Sequence, residues 1–271
     1  MSKFSVITVC RNAEKDIGRT INSVLSQDSR DYEYIIIDGA STDNTISIVK
    51  QYGKKIAKFI SEPDTGIYQA MNKGIGLATG KYLLFLNAGD LFLHERILSV
   101  MAGQIEQNPA DVLYGDLLIT DMHKGSTLYR NSVRNMHKFW LYRHNIFHQS
   151  AFIRRELFAQ AGLYDESFSL AGDHEWFVRL FTHYKNICPY YYDFCAALFA
   201  VGGRSAGGLQ DKRLCKELAL IRDKYYGLGA KILCSQGWLY QVWWLGYRIW
   251  RRYKLKTSNL AKCSHSEGQT V

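Results

Sequence analysis

Proline is scarce, with three in 271 residues, so the chain carries no long proline-rich linker. The six cysteines, at 10, 188, 195, 215, 234 and 263, form no C-x-x-C pair and no metal-ligand spacing. They read as free thiols in a reducing compartment. No window approaches the roughly 18 consecutive apolar residues of a membrane span. The apolar run Phe4–Cys10 is short and meets Arg11, Glu14 and Lys15 at once, which is not the pattern of a signal peptide. A dinucleotide fingerprint should follow the first strand, but Cys10-Arg11-Asn12-Ala13-Glu14 stands there. Gly74, Gly76 and Gly80 end a helical stretch and precede a strand, and Lys81 after Gly80 has neither the spacing nor the context of a P-loop. A dinucleotide-dependent α/β oxidoreductase is therefore the weaker alternative. A nucleic-acid-binding module lacks any zinc or RNA-binding signature, so no nucleic-acid partner is expected.

Apolar residues make up 47% of the chain and aromatics 14%, which suits a well-packed globular protein, and 271 residues suit one large domain or one domain with an appendage. The net charge of +9 is uneven. Residues 1–209 hold 22 Lys and Arg against 21 Asp and Glu, whereas residues 210–262 hold 12 against 3. The basic character belongs to the C-terminal segment and implies an acidic partner there.

Strand-length apolar runs alternate with helical periodicity. Phe4–Val9, Tyr34–Ile37, Lys58–Ser61 and Tyr82–Leu86 read as strands. Between them Ile17, Ile21, Val24 and Leu25, then Ile46, Val49 and Tyr52, then Ile67, Met71, Ile75 and Ala78 recur at helical spacing. Asn12 is of a type that caps the first helix, and Ser41, Thr42 and Asp43 are cap types for the second. This alternation predicts a parallel sheet with helices on both faces. Ligands of such sheets sit beyond the carboxyl ends of the strands. Three successive strands run out into acids at that edge: Asp38, then Glu62 and Asp64, then Asp90 with Asn87. Their convergence marks a candidate site. Further on, Ile97–Gln107 reads as a helix, Val112–Tyr114 and Gln149–Ile153 as strands, Arg155–Gly162 as a short helix, and Ser169–His183 as containing a helix. Residues 121–145 read as a basic loop or an acceptor flap, and the glycine-dense stretch 202–208 as mobile.

Several motifs in order carry a resemblance: Thr8-Val9-Cys10-Arg11-Asn12, Asp38-Gly39-Ala40-Ser41-Thr42-Asp43, Ser61-Glu62-Pro63-Asp64-Thr65-Gly66-Ile67-Tyr68-Gln69-Ala70-Met71-Asn72-Lys73-Gly74, Asn87-Ala88-Gly89-Asp90, Gly172-Asp173-His174-Glu175 and Gly202-Gly203-Arg204-Ser205. With these, residues 3–208 resemble the bacterial family 2 glycosyltransferases of GT-A fold. The nearest in character are enzymes that build colanic acid, lipopolysaccharide and related exopolysaccharides. The resemblance implies a Rossmann-like α/β domain over residues 1–215, with a mostly parallel sheet flanked by helices. A helical basic and aromatic extension over 216–256 and a disordered tail over 257–271 follow.

The implied activity is inverting transfer of a sugar from a nucleotide-sugar donor, a UDP-sugar in first place, to a saccharide or lipid-linked acceptor. A catalytically weak or inactive nucleotide-binding relative is the alternative. Asp173 would be the base. Thr8, Arg11, Asp38, Asp43, Glu62, Asp64, Asn72, Lys73, Asn87 and Arg204 would line the donor, with Asp38 meeting the base of the nucleotide. His148, His174 and Glu175 would serve the acceptor side. Mg²⁺ or Mn²⁺ would sit on Asp90 and Asn87 and offset the leaving diphosphate. The usual acidic pattern of that loop is reduced, because Asn87 and Gly89 stand at two commonly acidic positions.

Residues 231–256 interleave Trp238, Trp243, Trp244, Tyr247 and Trp250 with Arg248, Arg251, Arg252 and Lys254. An aromatic face bordered by basic residues suits a membrane interface. The expected location is cytoplasmic, peripheral on the inner face of a bacterial inner membrane.

Overall fold

Four strands build the first half of the sheet: β1 (Phe4–Cys10), β2 (Tyr32–Asp38), β3 (Lys58–Ser61) and β4 (Tyr82–Phe85). They are mutually parallel, in the order β3-β2-β1-β4. All seven residues of β1 and all four of β4 are buried, as strands covered on both faces must be. The structure, a computed structural model, describes residues 2–121, 125–129, 138–200 and 211–228. The chain divides into a larger unit, Met1–Ile221, and a smaller one, Arg222–Val271, of which only residues 222–228 are described.

Helices α1 (Ile17–Leu25), α2 (Thr45–Gln51), α3 (Ile67–Leu77) and α4 (Ile97–Gln107) flank this half-sheet. One face of the strands, with Phe4, Val6, Tyr34, Ile36, Tyr82 and Leu84, packs on Ile17, Ile21 and Val24 of α1 and on Leu98 and Met101 of α4. On the opposite face Phe85 meets an aromatic group of Phe158, Tyr164 and Trp176, in edge-to-face and stacked contacts 4.4–6.4 Å between ring centres. The alternation of Leu84 and Phe85 between the two faces is the two-residue period of a strand.

The remaining strands extend the sheet to nine. They are β5 (Leu91–Phe92), β6 (Val112–Asp121), β7 (Gly125–Tyr129), β8 (Ala151–Arg154) and β9 (Pro189–Ala200). The full order is β3-β2-β1-β4-β8-β6-β9-β5, with β7 paired to β6. β8 is antiparallel to β4, so the start of β8 lies at the edge where β4 ends. Helices α5 (Lys138–Leu141), α6 (Glu156–Ala161), α7 (Gly172–His183) and α8 (Lys212–Tyr225) complete the described elements. The GT-A-type α/β architecture expected from the sequence is present. Among the described residues no helix is long and apolar enough to cross a membrane.

Several local expectations change. Asn12 does not cap α1; it has positive φ, and its Oδ1 accepts the Thr42 N–H at 2.9 Å, joining the two loops that leave β1 and β2. Part of the stretch 121–145 is the strand β7, not a loop, because β6 runs on past Tyr114 and offers it an edge. β5 and β9 carried no clear sequence pattern. The larger compact unit runs past residue 215 to Ile221, and α8 continues across that point. The glycine-dense stretch with Arg204, the basic aromatic segment 231–256 and the tail 257–271 lie outside the described residues.

Candidate active site

The strand order turns between β1 and β4: connections from β1 lead outward to β2 and β3, and the chain then returns to β4. Such a reversal opens a crevice at the carboxyl ends of the strands. Four segments meet there: the loops after β2, β3 and β4, and the stretch leading into β8.

Asp38 ends β2 and is fully buried. Its Oδ1 accepts the Ser41 hydroxyl at 2.5 Å, and its Oδ2 accepts the Ser41 N–H at 2.9 Å and the Ser61 hydroxyl at 2.7 Å. The carboxylate thus fastens the β2 loop to the end of β3. Thr8 is likewise fully buried; its hydroxyl donates to the Leu86 carbonyl at 2.6 Å and lies 2.9 Å from the Tyr34 hydroxyl. Asp43 accepts the Thr45 N–H and hydroxyl and the Glu14 N–H, which makes it a cap at the start of α2.

Asp64 behaves differently. Its Oδ2 fills the space above Gly39: a Cβ built there would lie 2.1 Å from it, with Arg11 Cδ 3.4 Å away. The missing side chain at Gly39 lets a partly exposed carboxylate and the exposed Arg11 share one corner of the crevice. Behind them Lys73 pairs with Glu62 at 2.8 Å and donates to the Pro63 carbonyl at 2.9 Å. Asn72 is buried and bonds the Tyr164 backbone through both ends of its amide, and also Glu166. Lys73 therefore braces the loop around Asp64, and Asn72 ties α3 to the segment 164–166.

The loop after β4 is locked from within. Asp90 Oδ2 accepts the Asn87 N–H at 3.0 Å, and the Gly89 N–H donates to Thr20 Oγ1 at 2.9 Å. Burial raises the Asp90 carboxyl to a pKa of about 7, against the pull of His148, the Asn87 N–H and the Gln149 side chain. Asn87 Nδ2 stands 3.0 Å from His148 Nε2, whereas its Oδ1 is buried without a hydrogen-bond partner.

His148 carries the chain of contacts onward. Its Nδ1 lies 2.9 Å from Asp173 Oδ2. With Asn87 donating, Nε2 accepts and the proton sits on Nδ1. Turning the amide over would aim the unpartnered Oδ1 at Nε2 and suit an imidazolium instead. Asp173, in the first turn of α7, is 6% exposed. Its Oδ1 also accepts the His174 N–H at 2.8 Å and the Tyr68 hydroxyl at 3.2 Å. Burial works to raise the Asp173 pKa, but His148 and the His174 N–H outweigh it and hold it below the usual carboxylate range. Burial works to lower the His148 pKa, and Asp173 and Asp90 outweigh that. The Tyr68 ring occupies the space beside Gly172, where a Cβ would come within 2.7 Å of it.

The structure thus brings Asn87, Asp90, His148 and Asp173 together, with Asp64 and Arg11 in a neighbouring corner. It keeps Thr8 and Asp38 in the interior. His174 turns its Nδ1 toward Asn145 Oδ1 at 3.1 Å. Glu175 is fully buried against Arg179 at 3.1 Å, and that guanidinium donates to the carbonyls of Ala161 and Leu163. Glu175 belongs to the α6–α7 junction. Tyr68 is the site residue that sequence reasoning left unassigned, although it stands inside the motif Gly66-Ile67-Tyr68.

A hard divalent cation needs several oxygen ligands. Among the described residues no group of three His, Cys, Asp or Glu side chains could hold one. Asp90, a buried acid whose carboxyl pKa is raised by burial, and the unpartnered carbonyl of Asn87 fit one side of a cation whose other ligands a diphosphate would bring. They do not form a complete resident site.

Comparison with known proteins follows the same line. The model of the family described as "Glycosyl transferase family 2" matches residues 5–162. A "PGL/p-HBAD biosynthesis glycosyltransferase" of Mycobacterium tuberculosis is 31% identical over 223 residues, which cover 80% of this chain and 84% of the relative. Among solved structures, S. aureus TarS 1-349 in complex with UDP-GlcNAc is similar with a TM-score of 0.65 at 19% identity, over 84% of this chain and 69% of that one. Against a longer TarS structure the match spans only 39% of that chain. The mannosyltransferase PcManGT from Pyrobaculum calidifontis, in complex with GDP-Man and Mn²⁺, gives a TM-score of 0.61 at 16% identity, over 99% of this chain and 76% of that one. At these identities the structural matches speak for the fold.

The pair His148–Asp173 has a testable pH signature. The raised His148 pKa contributes stability that is full below its ordinary value of 6.5 and is lost as pH rises through the folded value. The lowered Asp173 pKa contributes stability present above 3.8 and lost as pH falls through its folded value. A His148→Gln variant is therefore expected to lose less Tm than the wild type as pH climbs from roughly 6 to 9. Parallel Tm curves for the two proteins would refute the pairing.

Proposed function

The chain belongs to glycosyltransferase family 2, and from that premise we propose that it moves a sugar from a UDP-sugar to a hydroxyl of a saccharide or lipid-linked saccharide in bacterial surface polysaccharide assembly, with inversion at the anomeric carbon. The supporting observation is the unbroken line of contacts from Asn87 in the loop after β4, through His148, to Asp173. It joins the position expected for the leaving diphosphate to the position expected for the attacking hydroxyl.

The count of lone pairs on Asp173 supports this reading. Its Oδ1 already accepts two hydrogen bonds, from Tyr68 and from the His174 N–H. Its Oδ2 accepts one, from His148, and so keeps a lone pair free. The acceptor hydroxyl would give its proton to Oδ2 as its oxygen bonds to the anomeric carbon. The bond from that carbon to the diphosphate breaks, and the electron pair leaves with the UDP. General-base help of this kind is worth about 100- to 10,000-fold in rate. Tyr68, His148 and the His174 N–H keep the carboxylate ionised and fix its plane.

On the donor side, Asp64 and Arg11 are the groups exposed to a nucleoside; a carboxylate accepting a base N–H suits uracil. Asp38, Thr8 and Asp43 would act on the donor only by shaping the loops around it. A bound Mg²⁺ or Mn²⁺ would supply positive charge to the departing diphosphate, with Asp90 and Asn87 as its protein ligands. Arg204 is a further candidate for the diphosphate. The basic aromatic segment 231–256 is the proposed contact with an anionic membrane surface, where a lipid-linked acceptor resides; the protein would then lie on the cytoplasmic side of the bacterial inner membrane.

Asp173→Asn is expected to abolish transfer while UDP affinity stays near wild type, with Tm lowered by the loss of the His148 pairing; turnover near wild type would remove Asp173 as base. In calorimetry with UDP, Asp64→Ala should weaken binding with and without Mn²⁺, whereas Asp90→Ala should weaken only the Mn²⁺-dependent part. Identical Mn²⁺ titrations for wild type and Asp90→Ala would dismiss Asp90 as a ligand. Deleting residues 231–256 should release the protein from anionic vesicles in a sedimentation assay, and undiminished binding would reject the membrane assignment.

A further inference from the structure

The flank of α7 that delivers Asp173 is not capped by its own sequence. Ala171 stands at the N-cap position and has no side chain able to accept a hydrogen bond. Glu217, on α8, takes that task. Its Oε1 accepts the Ser169 N–H at 2.8 Å and the Ser169 hydroxyl at 2.7 Å. Its Oε2 accepts the Leu170 N–H at 2.9 Å and the Ala171 N–H at 2.8 Å. All four donors lie in the three residues immediately before Gly172-Asp173. A carboxylate at the N-terminal flank of a helix is also favoured by the helix dipole.

Ile221 is the one fully buried residue of α8, and Leu214, Glu217 and Leu218 on the same face are half-buried. Burial works to raise the Glu217 pKa, and its bonds to Ser169, Leu170 and Ala171 overcome this and keep it ionised. At the junction between α8 and the Asp173 loop one charged side chain thus meets four donors. Bonds of this charge-assisted kind are the strong ones.

We propose that Glu217 is a positioning residue for Asp173: it holds the segment Ser169–Ala171, and with it the start of α7, in the place that sets the carboxylate against Tyr68 and His148. This rests on the reading of Asp173 as the base. Glu217 touches neither donor nor acceptor in this scheme, so its loss should act on the rate and not on donor affinity.

The test uses the full chain and UDP as probe. Glu217→Ala is expected to lower kcat for transfer about 10- to 100-fold, the effect of misplacing a catalytic group by about an ångström, with UDP affinity within about twofold of wild type. Amide exchange should quicken in Ser169–Ala171 and stay unchanged in β1 and β4. Glu217→Gln keeps an acceptor oxygen for part of the set and should restore part of the rate; it carries the same measurements if the alanine variant does not fold. A wild-type kcat in Glu217→Ala, or a loss of kcat matched by an equal loss of UDP affinity and faster exchange in β1, overturns the proposal. A wild-type chain that transfers no sugar would sink the functional reading, while altered exchange confined to Ser169–Ala171 would still uphold the latch.

Discussion

Buried carboxylates must be given hydrogen bonds, and this molecule buries three of them at one edge of its sheet. Asp38, Asp90 and Asp173 are each nearly or fully inaccessible, and an ionised carboxylate stripped of water is costly unless donors surround it. The three solutions differ. Asp38 is saturated by Ser41, Ser61 and the Cys10 thiol. Asp173 has three donors and an open lone pair. Asp90 is underprovided, and burial lifts its pKa toward neutrality. Saturation makes a structural clamp; in the proposed scheme the open lone pair serves Asp173 as base, and the raised Asp90 carboxyl gains from a cation.

The same demand explains why loops distant in sequence are tied together. Tyr68 from α3, His148 before β8 and His174 of α7 converge on one carboxylate because each supplies a donor that water would otherwise provide. Glu217 repeats the arrangement with roles exchanged: a single carboxylate gathers four donors. Asn87 links the loop after β4 to this set through His148, so Asn87 and Asp173 share one hydrogen-bonded line.

Two absent side chains shape the crevice as much as those present. At Gly39 the vacant position admits the Asp64 carboxylate, and at Gly172 it admits the Tyr68 ring. In both places a residue remote in the chain fills the space that a local side chain would take.

Much of the fold was legible in advance. Apolar runs and helical spacing located β1 to β4 and α1 to α4 because their burial is two-sided or amphipathic, and such burial leaves a period in the sequence. β5, β7 and β9 left none: β5 is two residues long, and β9 mixes buried with half-exposed positions. For the site, the sequence by itself determined which residue types reach the sheet edge, and so the class of chemistry available. Tertiary structure alone decided how each is used. It sealed Asp38 and Thr8 inside, turned Glu175 to Arg179, and brought Tyr68, His148 and Glu217 to Asp173 and its loop. The physical reason is that a side chain's role follows from its hydration and its partners, and those are set by which distant segments the folded chain brings to it.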